Sequence, residues 1–410
     1  MSEWKEFYLT DIGTLARGKS KHRPRWAEHL YGGSYPFIQT GEITAANKYV
    51  STYQQTYSEA GLVQSKLWDK GTLCITIAAN IAEIAILDFP ACFPDSILGF
   101  VPNPEKANLD FVFYTLTFFK AKIKNLAIGS VQENINLGTF QNIKFLFPPI
   151  DEQKEISAAL TYLDRKISNL RQQNETLEKI AQTLFKHWFV DFEFPNEDGK
   201  PYRSSGGEMV RSEHLGEIPA GWRVTPLDEV ADFLNGLALQ KYPANDNENS
   251  LPVIKIREMK AGITANTDRA SLGVPSQYII DNGDVLFSWS GSLEITVWCF
   301  GQGALNQHLF KVSSTKYPKW LYYFWTLEHL KHFRAIAKSK ATTMGHIQRK
   351  HLSEALCCIP TKEQLNEIDV IMRPILDKTI QNSLQIQTLT KTRDRLLPKL
   401  MSGQLRIPQL

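Results

Sequence analysis

The chain has 410 residues, of which 43% are hydrophobic and 22% are charged. These values are typical of a soluble globular protein and leave room for two or three domains. The net charge of +3 excludes a histone-like polycation, but it leaves open a nucleic-acid binder with local basic stripes.

Cysteine usage and the N-terminal sequence indicate a reducing compartment. The five cysteines form no Cys-x-x-Cys pair and no Cys/His ligand spacing, and their number is odd. No apolar run of signal-peptide type opens the chain, and the longest apolar run, 75–87, contains Asn80 and Glu83. We therefore expect buried free thiols, no metal, no membrane span and a cytoplasmic location.

Residues 1–148 are predicted to form a first domain of mixed α and β structure. Strand patterns follow turn residues at 35–39 and 69–75, and residues 109–126 have the pattern of a helix with an aromatic face.

A basic loop near the start of this domain is the best candidate for DNA binding. Its positive charges, followed closely by Trp26, suit phosphate contact and insertion into a groove, although a solvated surface loop is the alternative. The candidate contacts are Arg17, Lys19, Lys21, Arg23 and Arg25.

Residues 149–191 carry a coiled-coil seam. From Ile156 to Trp188, steps of four and three residues alternate without a break, and every seam position is apolar except Asn174. This is the 3.5-residue period of a coiled coil rather than the 3.6-residue period of an isolated surface helix. At about 1.5 Å per residue the helix would be about 50 Å long, so its narrow seam requires a partner helix.

The C-terminal stretch, 361–410, contains a second seam with the same steps from Ile368 to Leu400. This seam is weaker, because Arg393 occupies one position and Pro374 is expected to start or kink the helix. Two unrelated amphipathic helices are the alternative, but the flanking sequence repeats as well.

Two seam asparagines favour an antiparallel pairing of the helices. The antiparallel match places Asn174 beside Asn382, whereas the parallel match leaves both amides without partners, at about 1–3 kcal/mol each. We therefore predict an antiparallel coiled coil whose register this pair sets. The alternative is that one or both amides face water.

The sequence is internally duplicated. Residues 192–221 form a linker rich in turn formers, and residues 222–360 repeat the first domain at an offset of 212–218 residues. Trp222 corresponds to Trp4, for example. The fold class is thus two α/β domains with two long helices, in a pseudo-two-fold arrangement. Between the shared landmarks the copies differ, so we expect their loops to bind different targets.

Further DNA-contact candidates come from both domains. Four of them follow strand patterns at matching places and could read base edges, since Gln suits adenine and Arg or Lys suits guanine. A basic run in the second domain adds others, although part of it could be solvated helix surface. These candidates are Gln39, Thr40, Lys255, Arg257, Lys338, Lys340, Arg349 and Lys350.

No catalytic motif is found. The chain has no G-x-x-x-x-G-K-[ST] phosphate loop, no H-E-x-x-H and no G-x-S-x-G. Two non-catalytic functions remain: a DNA-reading subunit, or a scaffold with two α/β modules that dock proteins. The small net charge favours the scaffold slightly, whereas the basic loop and the divergence between the copies favour DNA reading.

The whole chain resembles the specificity subunits of type I restriction–modification systems. The resemblance rests on the Pro-Pro-x-x-Glu-Gln motif at 148–153, its single-proline copy at 360–364, the domain entry at 216–222 and the C-terminal sequence 397–403. It implies two target-recognition domains, each reading half of a split DNA target.

The resemblance also implies the partners. The two helices set the spacing and dock methylation subunits, of which two are expected, and restriction subunits join through these. S-adenosylmethionine, ATP and Mg are expected on the partner subunits, with no cofactor and no catalysis in this chain. Trp188, Phe189 and the outer faces of the two coiled-coil helices are candidate partner surfaces, unless they only close the end of the coil.

Overall fold

The computed structural model of the chain describes residues 3–78, 80–128, 138, 142–244, 249–339 and 345–407. The chain divides into two compact units, the first formed by Met1–Lys166 with Thr390–Leu410 and the second by Ile167–Leu389. Across the described ranges, every helix is either too short or too polar to cross a lipid bilayer.

The first unit contains a five-stranded sheet of order β2-β10-β7-β8-β4, a four-stranded sheet of order β5-β3-β9-β6 and the pair β1-β11. Its strands are β1 (Lys5–Tyr8), β2 (Gly13–Arg17), β3 (Tyr31–Phe37), β4 (Tyr49–Val50), β5 (Gln55–Tyr57), β6 (Leu67–Trp68), β7 (Leu73–Thr76), β8 (Ile84–Leu87), β9 (Ala91–Cys92), β10 (Ile97–Pro102) and β11 (Lys144–Phe147). Its helices are α1 (Leu9–Ile12), α2 (Thr40–Ala45), α3 (Glu59–Val63), α4 (Leu109–Ile128) and the first part of α5 (Ile150–Phe185). Every residue of β7 and β8 is buried, as their unbroken apolar runs require.

The second unit contains four-stranded sheets of order β15-β22-β19-β20 and β17-β16-β21-β18, with the pairs β14-β23 and β12-β13. Its strands are β12 (Met209–Ser212), β13 (Gly216–Pro219), β14 (Arg223–Pro226), β15 (Asp232–Asn235), β16 (Ser250–Ile254), β17 (Arg269–Ser271), β18 (Ile279–Ile280), β19 (Val285–Ser288), β20 (Ile295–Val297), β21 (Gly303–Leu305), β22 (Leu309–Ser313) and β23 (Leu356–Ile359). Its helices are α6 (Leu227–Val230), α7 (Ile256–Ala261), α8 (Lys319–Ser339), α9 (Arg349–Ser353) and part of α10 (Lys362–Met401).

The strand order confirms the duplication. The order β2-β10-β7-β8 returns as β15-β22-β19-β20, and β5-β3-β9-β6 returns as β17-β16-β21-β18. The directions agree as well, since β3 pairs parallel with β9 and β16 pairs parallel with β21. The short strand β4 has no counterpart among the described residues of the second unit.

Gly18 and Gly236 occupy the same place in the two copies, and both are needed for close packing of the backbone. A Cβ atom would lie 2.3 Å from the Pro94 carbonyl oxygen at Gly18, and 2.2 Å from the Asn306 carbonyl oxygen at Gly236. The repeated glycine therefore marks a point where two chain segments approach closely.

The predicted linker contains ordered structure. It includes the β12–β13 hairpin, and Phe192 and Phe194 are buried against Trp222. Trp188 and Phe189 belong to the same core, with 6% and 1% exposure, so they close the end of the coil and offer no free surface.

The two long helices, α5 and α10, pair antiparallel. In the second unit, Ile167 and Leu170 share a cluster with Ile386 and Leu389. In the first unit, Ile156 lies in one core with Leu400. Residues early in one helix thus contact residues late in the other, as the seams predicted.

Of the two expectations for Pro374, the one that it starts the second helix is wrong, because α10 begins at Lys362, within the predicted segment 361–410, and continues through Pro374 to Met401. Ile368 and Met372, which precede the proline, are buried in the core of the second unit, and Pro374 itself is exposed. Burial of these two side chains stabilises the turns before Pro374 and outweighs the hydrogen bond that the proline cannot donate.

The predicted asparagine pair is present. Asn382 Nδ2 donates to Asn174 Oδ1 at 3.0 Å, and Asn174 Nδ2 donates to the Thr379 carbonyl at 3.1 Å and to Ser383 Oγ at 3.0 Å. The two amides are not equivalent. Asn382 is fully buried and its Oδ1 has no hydrogen-bond partner in the described part of the chain, whereas Asn174 is half-buried.

This asymmetry predicts opposite effects of two leucine substitutions. Asn382→Leu removes an unsatisfied acceptor and should raise the free energy of unfolding by about 1 kcal/mol. Asn174→Leu leaves the buried Asn382 amide short of a partner and should lower the free energy of unfolding by about 1–3 kcal/mol. Urea unfolding of both variants measures the difference. Equal losses of unfolding free energy in the two variants would contradict the inequivalence of the two amides.

A polar network in the first unit joins the sheet domain to both long helices. Lys48 Nζ lies 2.9 Å from Asp110 Oδ1 and donates to Thr161 Oγ1 on α5 at 2.9 Å. Asp164 accepts a hydrogen bond from Tyr114 and pairs with Arg393 at 2.9 Å. Arg393, which weakened the second seam in the sequence, is therefore accommodated by an ion pair.

The five cysteines are buried free thiols, as expected. Burial raises the pKa of each thiol, so none of them is a thiolate at neutral pH in the folded chain. The residues are Cys74 and Cys92 in the first unit and Cys299, Cys357 and Cys358 in the second.

Candidate nucleic-acid interface

The basic loop follows β2 and is held in place by hydrogen bonds. The Lys19 backbone N–H donates to the Phe93 carbonyl at 3.1 Å, and the Lys19 carbonyl accepts from Ser65 Oγ at 2.8 Å. The His22 N–H donates to Gln64 Oε1 at 3.0 Å. The loop is thus preorganised rather than free to adapt.

The five loop cations fall into two groups. Arg25 makes a two-oxygen contact with Asp95, at 3.0 and 3.1 Å, and Arg23 Nη1 donates to the carbonyls of Ser20 and His22 at 2.8 and 2.9 Å. These two arginines hold the loop together.

The other group has free charges. Arg17, Lys19 and Lys21 are exposed, and their side chains form no ion pair with any described residue. These three cations are therefore available for an anionic ligand, whereas the charge of Arg25 is already balanced.

Trp26 projects from this loop with 67% of its surface exposed. Its ring lies nearly parallel to that of Tyr31, with ring centroids 6.4 Å apart. The Tyr31 ring in turn packs on Tyr57 at 5.2 Å, and Tyr57 stacks on Phe37 at 4.1 Å. Burial and the neighbouring Tyr57 raise the pKa of Tyr31 to about 12, so its hydroxyl stays protonated and donates to the Arg25 carbonyl at 3.0 Å.

Gln39 and Lys255 occupy matching places, as the repeat predicted. Each precedes a short helix, and its backbone N–H donates to a glutamate in the first turn, Glu42 at 3.1 Å and Glu258 at 3.2 Å. By this register Thr40 corresponds to Ile256, so Arg257 and Thr40 are not equivalent positions.

The side chains at these places already have protein partners. Gln39 Nε2 donates to Gln55 Oε1 at 2.8 Å, and Thr40 is half-buried at the start of α2. Lys255 pairs with Asp268, and the ammonium group lowers the pKa of that carboxyl. Arg257 pairs with the buried Glu258 at 2.7 Å. The two cations therefore have less charge to offer a phosphate than the free cations of the basic loop.

Lys338 lines a pocket of about 310 Å³ at the end of α8, beside Arg334 and Gly291. Arg334 is engaged by Glu294 at 3.2 Å, whereas the Lys338 ammonium has no ion-pair partner among the described residues. Lys340 lies outside the described residues.

Arg349 and Lys350 open α9, and both are exposed. Arg349 Nη2 donates to the Phe233 carbonyl at 3.1 Å, and its guanidinium lies 5.6 Å from the Phe310 ring centroid. The second basic run therefore does not form one loop: its described members are distributed between α8 and α9.

A polar cluster in the second unit was missed by the sequence analysis. Trp289 Nε1 donates to Asn235 Oδ1 at 2.9 Å, and Ser290 Oγ lies 3.0 Å from His308 Nδ1. His308 lies in the connection from β21 to β22, and the equivalent connection of the first unit, from β9 to β10, carries Asp95. The available sequence signal was a polar residue at each of two strand ends, Asn235 at the end of β15 and His308 directly before β22.

The two copies thus present different chemistry at the same place in the sheet. The first carries exposed cations and a largely exposed indole ring, and the second carries amide, hydroxyl and imidazole groups beside the half-buried Trp289 indole, which is hydrogen-bonded within the cluster. No cluster of three or more His, Cys, Asp or Glu residues suited to a metal ion occurs in the described ranges.

Comparison with known proteins identifies a consistent set of relatives. A family model described as the type I restriction modification DNA specificity domain matches residues 1–179 and 219–391. The type I restriction enzyme MjaIX specificity subunit of Methanocaldococcus jannaschii is 26% identical over 425 residues, covering 100% of this chain and 95% of that protein. The type I restriction enzyme HindI specificity subunit of Haemophilus influenzae is 22% identical, covering 99% and 100%.

The fold also matches a solved structure. The S subunit of a type I restriction–modification system from M. genitalium aligns with a TM-score of 0.62 and 16% identity, covering 100% of this chain and 97% of that one.

Proposed function

The chain belongs to the family of type I restriction–modification specificity subunits, and from this premise we propose that its two α/β domains each read one half of a split, asymmetric DNA target. The domains are residues 1–148 and 222–360. The observation that carries this proposal is the pair of sheets with the same strand order and direction but unlike side chains at equivalent loops. A shared scaffold with different contact groups suits two different half-sites.

The long helices complete the proposal. Residues 149–191 and 361–410 hold the two readers at a fixed spacing and dock two methylation subunits, through which restriction subunits join. Adenine methylation with S-adenosylmethionine, and ATP- and Mg-dependent cleavage, reside on those partners in the cytoplasm, and this chain contributes specificity without catalysis.

Mapping methylated adenines tests the function directly. DNA from cells that carry this chain with its methylation subunits should contain methylated adenines in a two-part asymmetric sequence, absent when the chain is deleted. The matched experiment replaces residues 1–148 with the equivalent domain of a relative and should change one half of the sequence only. Two results would contradict the proposal. One is methylation that does not depend on the chain, and the other is a chain that binds duplex DNA no better than an unrelated protein does.

Within this function, the free cations of the basic loop should dominate phosphate contact. The triple variant of Arg17, Lys19 and Lys21 to alanine should reduce the slope of log affinity against log salt by about 2–3, because each lost phosphate contact removes about 0.9. The double variant Arg23→Ala, Arg25→Ala should change that slope by at most about 0.9, since Arg25 is already neutralised by Asp95 and only Arg23 has no ion-pair partner among the described residues. Fluorescence anisotropy over a salt series measures both. A larger change of the salt slope in the double variant than in the triple variant would contradict this division of the loop cations.

A further inference from the structure

Trp26 has an exposure that packing within this chain does not explain. Tryptophan can bury roughly 150–250 Å² of surface, and the neighbouring cluster of Leu30, Phe37 and Tyr57 offers an apolar core. The indole nevertheless remains 67% exposed. The loop segment just before Trp26 is held by two hydrogen bonds, from the His22 N–H to Gln64 and from the Tyr31 hydroxyl to the Arg25 carbonyl. Exposure of Trp26 is thus built into the loop.

The inner face of the indole is supported by a column of aromatic rings. Trp26 and Tyr31 lie within 15° of parallel, and Tyr31 rests on Tyr57, which is fully buried and stacked on Phe37. The column ends at the outer face of Trp26. A further flat ring is the group that would continue it, since aromatic faces favour offset stacking at about 4.5–7 Å.

The charges on the chain segment that leads to Trp26 indicate which flat ring would stack on it. Arg17 at the end of β2, and Lys19 and Lys21 in the loop that follows, have no ion-pair partner among the described residues, whereas Arg25, the nearest cation in sequence, is neutralised by Asp95. A planar ligand that brings negative charges on neighbouring groups matches this surface, and a nucleobase with its flanking phosphates has that chemistry.

We propose that the outer face of Trp26 is a stacking site for one nucleobase of duplex DNA, at an unstacked step in the half-site read by the first domain. The inference rests on the proposed function and adds a residue and a contact type to it. Apolar side chains that insert at a base step unstack it partially, and easily unstacked pyrimidine–purine steps are favoured. Trp26 therefore contributes to sequence preference, whereas the free cations contribute affinity for any sequence.

The test uses the full chain with its methylation subunits and a fluorescent duplex that carries the methylated sequence mapped in cells. Trp26→Ala should weaken binding about fivefold or more, because stacking of one base on an aromatic side chain is worth about 1–3 kcal/mol. Trp26→Phe should retain most of the affinity, and the salt dependence should stay unchanged in both, because indole carries no charge. Val101→Ala, which truncates an exposed apolar residue on β10, is the matched control and should bind as the parent does.

An abasic scan separates stacking from a structural role of the indole. Single bases of the first half-site are removed in turn, and each duplex is measured with the parent and with Trp26→Ala. At one position the two losses should not add, because the same contact is removed twice. Additive losses at every position, or binding of Trp26→Ala within twofold of the parent, overturn the inference. If the parent complex yields no two-part methylated sequence, the proposed function fails instead.

Discussion

Replacing Trp222 with alanine is expected to lower the free energy of unfolding of the second unit by about 3–5 kcal/mol. The indole is 5% exposed and packs on Phe189, Phe192 and Phe194, at ring separations of 5.5, 5.8 and 4.9 Å. Its Nε1 donates to Gln364 Oε1 at the start of α10, at 2.8 Å. One side chain thus joins the end of α5, the linker and the second long helix, and alanine would leave a cavity among all three.

The duplication supplies the control for this prediction. Trp4 is the equivalent residue of the first unit, and its Nε1 donates to Glu152 at 3.2 Å, but its ring is only half-buried. Trp4→Ala should therefore cost about half as much. Trp222→Phe should lose about 1 kcal/mol with the hydrogen bond while keeping most of the packing. Urea unfolding of the intact chain measures all three, and an equal loss in Trp4→Ala and Trp222→Ala would refute the ranking.

Replacing Lys48 with methionine should lower the free energy of unfolding by about 2–4 kcal/mol. The lysine side chain is 7% exposed, and its removal leaves Asp110 and Thr161 without their shared partner. The loss stays below the full cost of an unpaired buried charge, because the Asp110 side chain is 30% exposed and can be rehydrated in part.

The same pair is expected to be nearly neutral when both charges are removed together. Burial lowers the pKa of Lys48 even though Asp110 acts to raise it, so desolvation outweighs the attraction between the two ions. Lys48→Met combined with Asp110→Asn should therefore recover most of the stability lost in the single variant. Lys70→Met is the surface control, since its pair with Asp88 is 67% and 48% exposed, and should cost less than about 1 kcal/mol. A double variant no more stable than Lys48→Met would contradict this explanation.

The coiled coil could be predicted from the sequence because its determinants are periodic. A seam from Ile156 to Trp188 requires a partner, and two asparagines in that seam and its repeat favour only one direction of pairing. The hydrogen bond between Asn174 and Asn382 has the predicted partners. Local pattern and global fold agree here, which is why the prediction extended to one pair of residues.

The state of the candidate site residues could not be predicted, because it depends on partners distant in sequence. Arg25 is neutralised by Asp95, 70 residues away, and Arg349 donates to the Phe233 carbonyl, 116 residues away. No spacing rule connects such pairs. The local signal of Pro374, which favours a helix start or a kink, is overridden for a related reason, since burial of Ile368 in the second unit keeps the turns before Pro374 helical.

The buried thiols give each unit its own internal label. A sulfhydryl reagent reacts with thiolates, so in the folded chain it should modify the cysteines only when the surrounding core opens. Two of these side chains mark the first unit and three mark the second. The order in which alkylated peptides accumulate during mild denaturation therefore distinguishes which unit opens first, without any engineered probe.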